Sequence, residues 1–564
     1  MTGTPAQRRA ALDARYPTWE PKAIHEWFLA NARRCPERDF VVTDDGAITY
    51  AGMAALVERL AKGLVARGVT AGDRVAVLIA NHPEYVVAKY ALSRLGAVMV
   101  PLNYMFRRDE LAYVLRQSEA GGLLTMTGFR GTDYLEMLDG IAPGWTGGGM
   151  RPELPDLRFV AQFETEIPAR DGVPTLDDLG ADGEAAVLPV HGADPDDAAI
   201  IFYTSGTTGP PKGVVWTHDI DARIGIGGAL SRAFGDGWRV QSALPLYHAF
   251  ANNEVLNATM FAGGAVIPRL VFDADDFLDA VGRHRPHEIV TVPTMVVALC
   301  ESPRVRTART DSVVALMSAG AIAPVRLWER AVELLGVSEV TTGYGMTETG
   351  GGQVMSRPED GIEHVSTTVG RIKYAGAAGV PELGGGLAEM RTVDPSTGEP
   401  LPDGAEGEIV SRGPTNALGY WKRPAETAET FRGEWVHSGD LGRILSDGAV
   451  VLTGRKKELI RSGGENYSPK EVEDLLTGHP RIAQAFVVGV PDDRWGEIAC
   501  AWVVPEPGAK VSVDEVDALC REHLAGFKRP RTVRFIDADA LPTTPTGKVQ
   551  KFALVEMAAR QEES

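Results

Sequence analysis

The segment from Tyr203 to Gly213 reads YTSGTTGPPKG, and this mixture of hydroxyl side chains, glycines and a lysine is typical of a polyphosphate-binding loop. Gly206 and Gly209 let the backbone approach a ligand closely and turn its N–H groups toward it. The side chains available to bind phosphate are those of Thr204, Ser205, Thr207, Thr208 and Lys212. The segment is not a Walker A loop, because Pro211 replaces the second glycine of that motif and Lys212 is followed by glycine. Taken alone, it could also be a glycine-rich surface turn.

The stretches on either side of this loop, AIIFYTS and GVVWTH, both resemble strands, so we expect a loop between two strands. From residue 47 onward, amphipathic helices alternate with short apolar runs, and this alternation resumes between 238 and 345. Such alternation indicates parallel sheets covered by helices. From about 385 to 452 the pattern changes to short strands and turns, which indicates a β-rich subdomain. A small unit with further strands follows.

The predicted fold class is therefore α/β. A large N-terminal domain, 1–454, contains two parallel-type α/β sheets and a β-rich subdomain, and a short connection at 455–457 joins it to a small α+β C-terminal domain, 458–564. The length of 564 residues is too great for one core. Ligands of α/β sheets bind beyond the carboxyl ends of the strands. The segments TVPTM, SAGAI and GYGMTE lie at such positions.

The formal charge of -19 argues against nonspecific binding of nucleic acid. The first twenty residues contain no apolar signal segment, and no run of 18 apolar residues occurs, so we expect a cytoplasmic protein without a membrane span. The four cysteines show neither CxxC spacing nor suitable histidine neighbours. We expect them to be reduced and buried rather than metal ligands or disulfides.

Four further motifs accompany the phosphate loop: YGMTE at 344–348, HSGDLG at 437–442, TGRKKELIRSGGENYSP at 453–469 and PTTPTGKVQK at 542–551. In identity and order these five motifs resemble the core motifs of the ANL superfamily of adenylate-forming enzymes, in its acyl-CoA synthetase branch. The resemblance extends from about residue 25 to 552. It implies that an acid is activated with ATP as an acyl-adenylate and is then transferred to a thiol.

Glu348 offers a hard carboxylate oxygen of the kind that Mg²⁺ bound to ATP phosphates requires, and the resemblance assigns it that role, beside Thr347 at the phosphates. Tyr344 presents a flat face on which adenine could stack, although core packing would explain it too. The small residues near the base are Ala319, Gly320, Ala321 and Gly345. Asp440 can accept hydrogen bonds from both ribose hydroxyls, with Arg455 assisting, although a turn-capping aspartate would look the same.

Lys548 lies on a Pro-x-x-Pro-x-Gly-Lys segment that would hold its cation on a defined loop. The resemblance makes it the catalytic lysine of the first half-reaction, where such stabilisation of developing charge contributes roughly 3–4 kcal/mol. It also implies that the C-terminal domain rotates about Lys457 between two poses. In the second pose Gly463 and Gly464 would line a tunnel for the pantetheine arm of CoA, although an ordinary turn before a helix at Pro469 is equally compatible.

The region PLYHAFANNEVLNATM lacks the aspartate that binds the α-ammonium group of amino acid substrates in this superfamily, so we expect an acid without that group. Tyr247 and His248 could gate the carboxylate, with His248 counted among the catalytic residues; a core histidine is the alternative. Small residues predict room for an apolar acid of medium or large size, whether fatty, aryl or polycyclic. The predicted acyl pocket consists of Tyr247, His248, Phe250, Asn253, Thr294, Ala319, Gly320, Gly350 and Gly351.

The expected cofactors are ATP and Mg²⁺. Only about 16 residues follow Lys548, and no carrier-protein segment is among them, so we expect the thiol to come from outside the chain, with CoA as co-substrate. Basic residues that could meet the nucleotide end of CoA, or could simply be solvated, are Arg461, Lys470, Lys528 and Arg529. The alternatives are an enzyme that loads a separate carrier protein, a luciferase-like oxygenase and a noncatalytic nucleotide binder. No nucleic acid partner is expected, and a homodimer is possible.

Overall fold

A computed structural model of the protein describes residues 3–146, 152–190, 193–204, 210–462, 465–492, 494–544 and 549–562. In this part of the chain the helices are α1 (Pro5–Asp13), α2 (Ile24–Arg34), α3 (Tyr50–Ala66), α4 (Pro83–Leu95), α5 (Arg108–Gln117), α6 (Tyr134–Ile141), α7 (Leu176–Asp182), α8 (His218–Ser231), α9 (Ala249–Ala251), α10 (Ala258–Phe261), α11 (Ala274–His284), α12 (Pro293–Glu301), α13 (Val325–Leu335), α14 (Gly361–Thr367), α15 (Pro424–Thr430), α16 (Pro469–Thr477), α17 (Val513–His523) and α18 (Lys551–Glu562). A π-helical segment, Asn252–Asn257, joins α9 to α10. No described helix is both long and apolar enough to cross a membrane.

The described strands of the first half are β1 (Asp39–Thr43), β2 (Gly46–Thr49), β3 (Arg74–Leu78), β4 (Val98–Pro101), β5 (Gly122–Met126), β6 (Gly128–Phe129), β7 (Thr132–Asp133), β8 (Phe159–Phe163), β9 (Ala198–Thr204), β10 (Lys212–Thr217), β11 (Arg239–Ser242), β12 (Ala265–Pro268) and β13 (Glu288–Thr291). Those of the second half are β14 (Ala315–Ser318), β15 (Glu339–Thr341), β16 (Gly343–Met346), β17 (Gly351–Met355), β18 (Arg371–Ile372), β19 (Glu389–Val393), β20 (Gly407–Arg412), β21 (Phe431–Arg432), β22 (Trp435–Ile444), β23 (Val450–Arg455), β24 (Ile460–Ser462), β25 (Glu465–Tyr467), β26 (Ile482–Asp492), β27 (Gly496–Pro505) and β28 (Thr532–Phe535).

Two largely parallel sheets form the centre of the first 345 residues. One has the strand order β10-β9-β4-β3-β5-β8, and the other has the order β15-β14-β13-β11-β12-β1-β2. Only the edge strands β10 and β2 run antiparallel to their neighbours. The parallel strands β4 and β5 are buried throughout, as strands with helices on both faces must be. The predicted parallel α/β architecture is thereby confirmed.

Helix α3 illustrates how the sequence pattern produces these layers. Its residues Met53, Val57, Leu60 and Leu64 recur every three or four positions and are all buried, while Thr49 caps the first turn by accepting a hydrogen bond from the Gly52 amide. Within the Gly/Pro-rich stretch around 140–156, the described residues Trp145 and Leu154 are buried. Large apolar side chains outweigh the turn signals there.

The second half contains the expected β-rich region, an antiparallel sheet of β19, β20, β21, β22 and β23. Residues 460–558 form two apolar clusters of their own. The alternation of strand β27 separates these clusters: Ala499, Ala501 and Val503 face α16 and α17, whereas Cys500 and Trp502 face α18. All four cysteines are buried, and none forms a disulfide with another described residue.

Candidate active site

The phosphate loop joins strands β9 and β10, as predicted, and these strands pair antiparallel with Thr204 opposite Lys212. The Thr204 hydroxyl donates to the Lys212 carbonyl at 3.4 Å. This pairing brings the predicted lysine to the mouth of the loop. Ser205, Gly206, Thr207 and Thr208 lie outside the described residues, so their predicted contacts with phosphate stay predictions.

Tyr420 connects the phosphate loop to the predicted metal carboxylate, and the sequence reasoning missed it. Its hydroxyl donates to Glu348 Oε1 at 2.7 Å, and its ring centroid lies 4.2 Å from Lys212 Nζ. Burial and the neighbouring Glu348 carboxylate raise the pKa of Tyr420 well above its usual range, so the phenol stays protonated and donates. In the sequence Tyr420 lies in the run Gly419-Tyr420-Trp421, and nothing in this run indicates that Lys212 and Glu348 are its partners.

Glu348 is buried in a single 3-10 turn, Thr347–Thr349, directly after strand β16. The Trp216 indole donates to the Thr347 carbonyl at 2.7 Å, and the Ala417 amide donates to the Glu348 carbonyl at 2.9 Å. The carbonyls of Thr347 and Glu348 are thus both held by neighbouring elements. The second carboxylate oxygen, Oε2, makes no hydrogen bond with a described residue and is available to a ligand.

Asp440 lies between Tyr344 and Arg455, the two residues predicted to share the nucleoside with it. Strands β22 and β23 place Asp440 opposite Arg455, whose Nε lies 2.8 Å from Asp440 Oδ1. The Tyr344 hydroxyl donates to Asp440 Oδ2 at 2.7 Å. Burial and this carboxylate raise the pKa of Tyr344 well above its usual range. The structure therefore brings the three residues together, with Tyr344 as a donor as well as a flat face.

The small residues predicted near the base lie on two neighbouring segments. Ala319 directly follows β14 at the carboxyl end of the parallel sheet and is buried, whereas Gly320 and Ala321 are exposed. Gly320 has a φ of +92°, a conformation that a side-chain-bearing residue rarely adopts. Gly345, on β16, is also exposed. Backbone groups at Gly320, Ala321 and Gly345 are consequently accessible.

The predicted carboxylate gate lies where β11 leads into α9. His248 caps α9, because its Nδ1 accepts a hydrogen bond from the Phe250 amide at 3.2 Å. Tyr247 is buried, and its ring meets Tyr104 edge-on with 5.2 Å between centroids. His248 and Phe250 are half-buried, as is Thr294 in the first turn of α12. Those three can face a ligand, whereas Tyr247 is packed below them.

Gly350 and Gly351 serve close packing instead of opening space for an acid. The side-chain amide of Asn253 donates to the Gly350 carbonyl at 2.8 Å. A Cβ on Gly351 would lie 2.6 Å from Asn253 Nδ2, and one on Gly350 would lie 2.6 Å from the Thr415 carbonyl oxygen. Asn253 itself is fully buried. Asn253, Gly350 and Gly351, which were predicted to line the acyl pocket, therefore pack together and support the turn that contains Glu348.

The residues expected to move between half-reactions are only partly described. Lys457 is exposed in the 3-10 turn Lys456–Glu458 that follows β23. Lys548, Gly463 and Gly464 lie outside the described residues. Near them, Lys551 Nζ lies 2.8 Å from carboxylate oxygens of both Glu458 and Glu473, which ties the start of α18 to the segment beside Lys457.

The basic residues considered for CoA are partly engaged within the C-terminal region. Lys470 pairs with Asp474 at 2.6 Å, and Lys528 pairs with Glu471 at 2.6 Å. These ion pairs are compatible with the predicted contact between the two lysines and CoA, and equally with the alternative that the lysines are simply solvated. Arg461 is exposed beside the undescribed glycines.

Comparison with known families matches residues 28–421 to the AMP-binding enzyme family and residues 471–548 to the AMP-binding enzyme C-terminal domain. The chain belongs to the ANL superfamily of adenylate-forming enzymes. This AMP-binding enzyme is 38% identical over 531 residues to a feruloyl-CoA synthase of Amycolatopsis sp., covering 94% of this chain and 98% of that protein. It is 32% identical over 542 residues to the putative acyl-CoA synthetase YngI of Bacillus subtilis, covering 92% and 94%.

Among solved structures, ATP-bound MatB from Rhodopseudomonas palustris matches this AMP-binding enzyme with a TM-score of 0.80 and 30% identity, covering 94% of this chain and 98% of that one. The predicted family, its acyl-CoA synthetase branch and the α/β fold are confirmed. The AMP-binding enzyme is thus an acid–thiol ligase.

Proposed function

We propose that this ligase activates an apolar carboxylic acid of medium or large size, whether fatty, aryl or polycyclic, and transfers its acyl group to CoA. The observation that supports this most is the meeting of Lys212 and Glu348 at Tyr420, since it joins a phosphate cation to a carboxylate suited to Mg²⁺. The name of the Amycolatopsis relative, a feruloyl-CoA synthase, favours an aryl acid within that range.

In the first half-reaction a carboxylate oxygen of the acid attacks the α-phosphorus of ATP, and the bond to pyrophosphate breaks. We assign Lys212 and the phosphate loop to the β- and γ-phosphates, and Asp440 with Arg455 to the ribose. Lys548 stabilises the charge that develops between the carboxylate and the α-phosphate. His248 orients the acid carboxylate at the pocket mouth.

The donor set at Glu348 fits Mg²⁺, because Oε1 is oriented by Tyr420 while Oε2 is left for the ion. Glu348 would hold the metal together with ATP phosphate oxygens, with Thr347 beside them. The metal would supply positive charge that neutralises the departing pyrophosphate. Tyr420 keeps one oxygen of the carboxylate fixed at that position.

In the second half-reaction the CoA thiolate attacks the acyl carbonyl, and AMP leaves. We propose a division at 455–457, with rotation about Lys457 withdrawing Lys548 and bringing Gly463 and Gly464 to the pantetheine arm. The separate apolar clusters of residues 460–558 support this division, because such a unit can rotate without exposing its core.

A pyrophosphate-release screen over fatty, aryl and polycyclic acids, with and without CoA, tests the proposal. We expect thioester and AMP to appear only when CoA is present. An adenylate that accumulates despite CoA would contradict CoA as acceptor and would favour a separate carrier protein.

Lys548→Ala tests the division of labour between the two half-reactions. The adenylation rate should fall by about 10²–10³-fold, the usual effect of removing one stabilising charge, while thioester formation from supplied acyl-adenylate continues. Equal loss of both steps would contradict the assigned role of Lys548.

A further inference from the structure

Strand β20 carries a glutamate, Glu408, whose side chain is only 5% exposed and has no part in the chemistry described above. A carboxylate at this depth is costly unless the protein supplies partners for its oxygens. The partners of Glu408 lie on the nucleotide side of the site. They come from the strand that carries Asp440 and from the turn that contains Lys457.

Strand β22 departs from its regular pairing with β20 at the point where it carries Asp440. Three residues of β22, 438–440, lie opposite the single residue Ile409 of β20, because the register between the two strands shifts there. Such a bulge bends a strand and re-aims its side chains, and bulges are common beside active sites. Asp440 is therefore presented by an irregular segment of backbone, whose shape depends on the contacts that support it.

Glu408 and Ser438 hold this bulge in shape. The Gly439 amide, at the centre of the bulge, donates to Glu408 Oε1 at 3.1 Å. The Ser438 hydroxyl donates to the Ile409 carbonyl at 2.6 Å and accepts from the Asp440 amide at 3.0 Å. Gly439 has a φ of +72°, one of the many conformations open to a glycine, so the hydrogen bond to Glu408 helps to fix this one.

The second oxygen of Glu408 faces two basic side chains. Lys456 Nζ lies 3.7 Å from Oε2, and His437 Nδ1 lies 3.5 Å from it. These contacts keep Oε2 turned away from the bulge and leave Oε1 to accept from Gly439. The carboxylate is thereby held at both oxygens, as is required of a group that fixes the position of another residue.

We propose that Glu408 is a positioning residue for the ribose: by accepting from Gly439, it holds the bulge in the shape that presents Asp440 to the ribose hydroxyls. The inference rests on the proposed function, which assigns Asp440 to the ribose, and adds a residue that acts on the nucleotide only through Asp440. A glutamate with a merely structural role would affect the binding of every nucleotide alike. A positioning residue affects the contribution of the ribose hydroxyls selectively.

Calorimetric titration of the full-length enzyme with ATP and with 2′-deoxy-ATP, both in the presence of Mg²⁺, measures the contribution of the 2′-hydroxyl. A hydrogen bond to a carboxylate predicts that wild type binds ATP about 10- to 100-fold more tightly than 2′-deoxy-ATP. In Glu408→Ala this ratio should fall about three- to tenfold, because Asp440 is no longer held in place. Equal affinities in wild type would overturn the ribose assignment and the inference together. A wild-type ratio that Glu408→Ala retains would overturn the inference alone.

Two conservative variants separate the hydrogen bond from the charge and keep the test decisive if Glu408→Ala does not fold. Glu408→Gln keeps an acceptor oxygen at the same distance, so the ratio should stay within about twofold of wild type. Glu408→Asp keeps the charge but is one methylene group shorter, so it should lower the ratio as the alanine variant does. The reverse pattern, in which the aspartate variant retains the ratio and the glutamine variant loses it, would contradict the inference.

Glu406→Ala is the matched control. This glutamate immediately precedes β20 and is exposed, so its removal should leave the ratio unchanged. An equal fall in the ratio in Glu406→Ala and Glu408→Ala would show that the effect does not depend on the contact with Gly439, and would overturn the inference.

Discussion

The charged side chains on the nucleotide side of the site are only partly paired within the protein, whereas those buried beneath the acyl side are paired with one another. On the nucleotide side Arg455 is 41% exposed, and Glu348 offers one carboxylate oxygen that no described residue uses. On the sealed side Lys89 contacts Asp221 at 2.8 Å, with both side chains at most 1% exposed.

The sealed network continues through amides until it reaches the catalytic turn. Lys89 donates to Asn252, whose amide donates to Asp221 at 2.7 Å and to Asn253 at 2.9 Å. Asn253 in turn holds the Gly350 carbonyl, two residues after Glu348. Charges that await a ligand are therefore left partly open, and charges that hold the backbone in place are closed off. This is the expected division, because an unpaired buried charge is far more costly than an exposed one.

Lys89→Met should have the largest effect on stability, because it leaves Asp221 buried without its cation. Removing one partner of a buried pair costs about 3–5 kcal/mol in the free energy of unfolding. Lys62→Met is the matched control, since Lys62 pairs with Glu58 on the exposed face of α3 and should lose about 0.5 kcal/mol or less. Denaturant unfolding measures both, and similar losses in the two variants would remove the contrast between the regions.

Glu288→Gln should change how stability depends on pH. Burial raises the pKa of Glu288 from 4.5 to about 7, against the opposing effect of Arg232. The folded state therefore keeps a proton that the unfolded chain releases, so this group's contribution to stability falls as pH rises from about 4.5 to about 7. The variant should lose that slope, by roughly 1–3 kcal/mol across the window. An unchanged slope, or an equal change in the exposed control Glu301→Gln, would contradict this.

Tyr420→Phe should weaken nucleotide binding without unfolding the protein, which would sharpen the contrast with Lys89→Met. It removes the hydrogen bond to Glu348 but keeps the ring beside Lys212, so the Mg²⁺ concentration needed for ATP binding should rise about tenfold. Calorimetric titration of ATP over a Mg²⁺ series measures this directly.

Tyr420→Leu also removes the ring and should cost a further few-fold in ATP affinity. Tyr374→Phe, which loses a hydroxyl bound to Asp13 away from the site, is the control. If the phenylalanine variant at 420 binds like wild type at every Mg²⁺ concentration, Tyr420 does not orient Glu348.

Tyr344→Phe should have the smallest effect. Arg455 still orients Asp440 when the tyrosine hydroxyl is gone, so ATP affinity should fall only about two- to fivefold. The gap in affinity between ATP and 2′-deoxy-ATP should narrow in the variant, because the carboxylate that receives the ribose hydroxyl is less fixed. A gap equal to that of wild type would leave Tyr344 as an adenine platform alone.

Much of the fold could be predicted because it follows from patterns between residues that are close together in the sequence. The strands on either side of the phosphate loop, the helix at Pro469 and the antiparallel region after 385 all follow from residue alternation and turn residues. The stretch near Leu154 could not be predicted, since its burial depends on neighbours distant in the chain. Tyr420 was missed for the same reason, because its partners at 212 and 348 are far from it in sequence.

The sequence by itself contains the five motifs in order, and these determined the family and the α/β class. They also determined the residue types that can bind a polyphosphate, a metal and a ribose. Only the tertiary structure decided how those residues are supported: Tyr420 between Lys212 and Glu348, Asn253 beneath Gly350, and the glycines at 350 and 351 as packing contacts instead of open space. The physical reason is that motifs record chemistry along the chain. Hydrogen bonds and close packing between distant segments exist only after folding has brought them together.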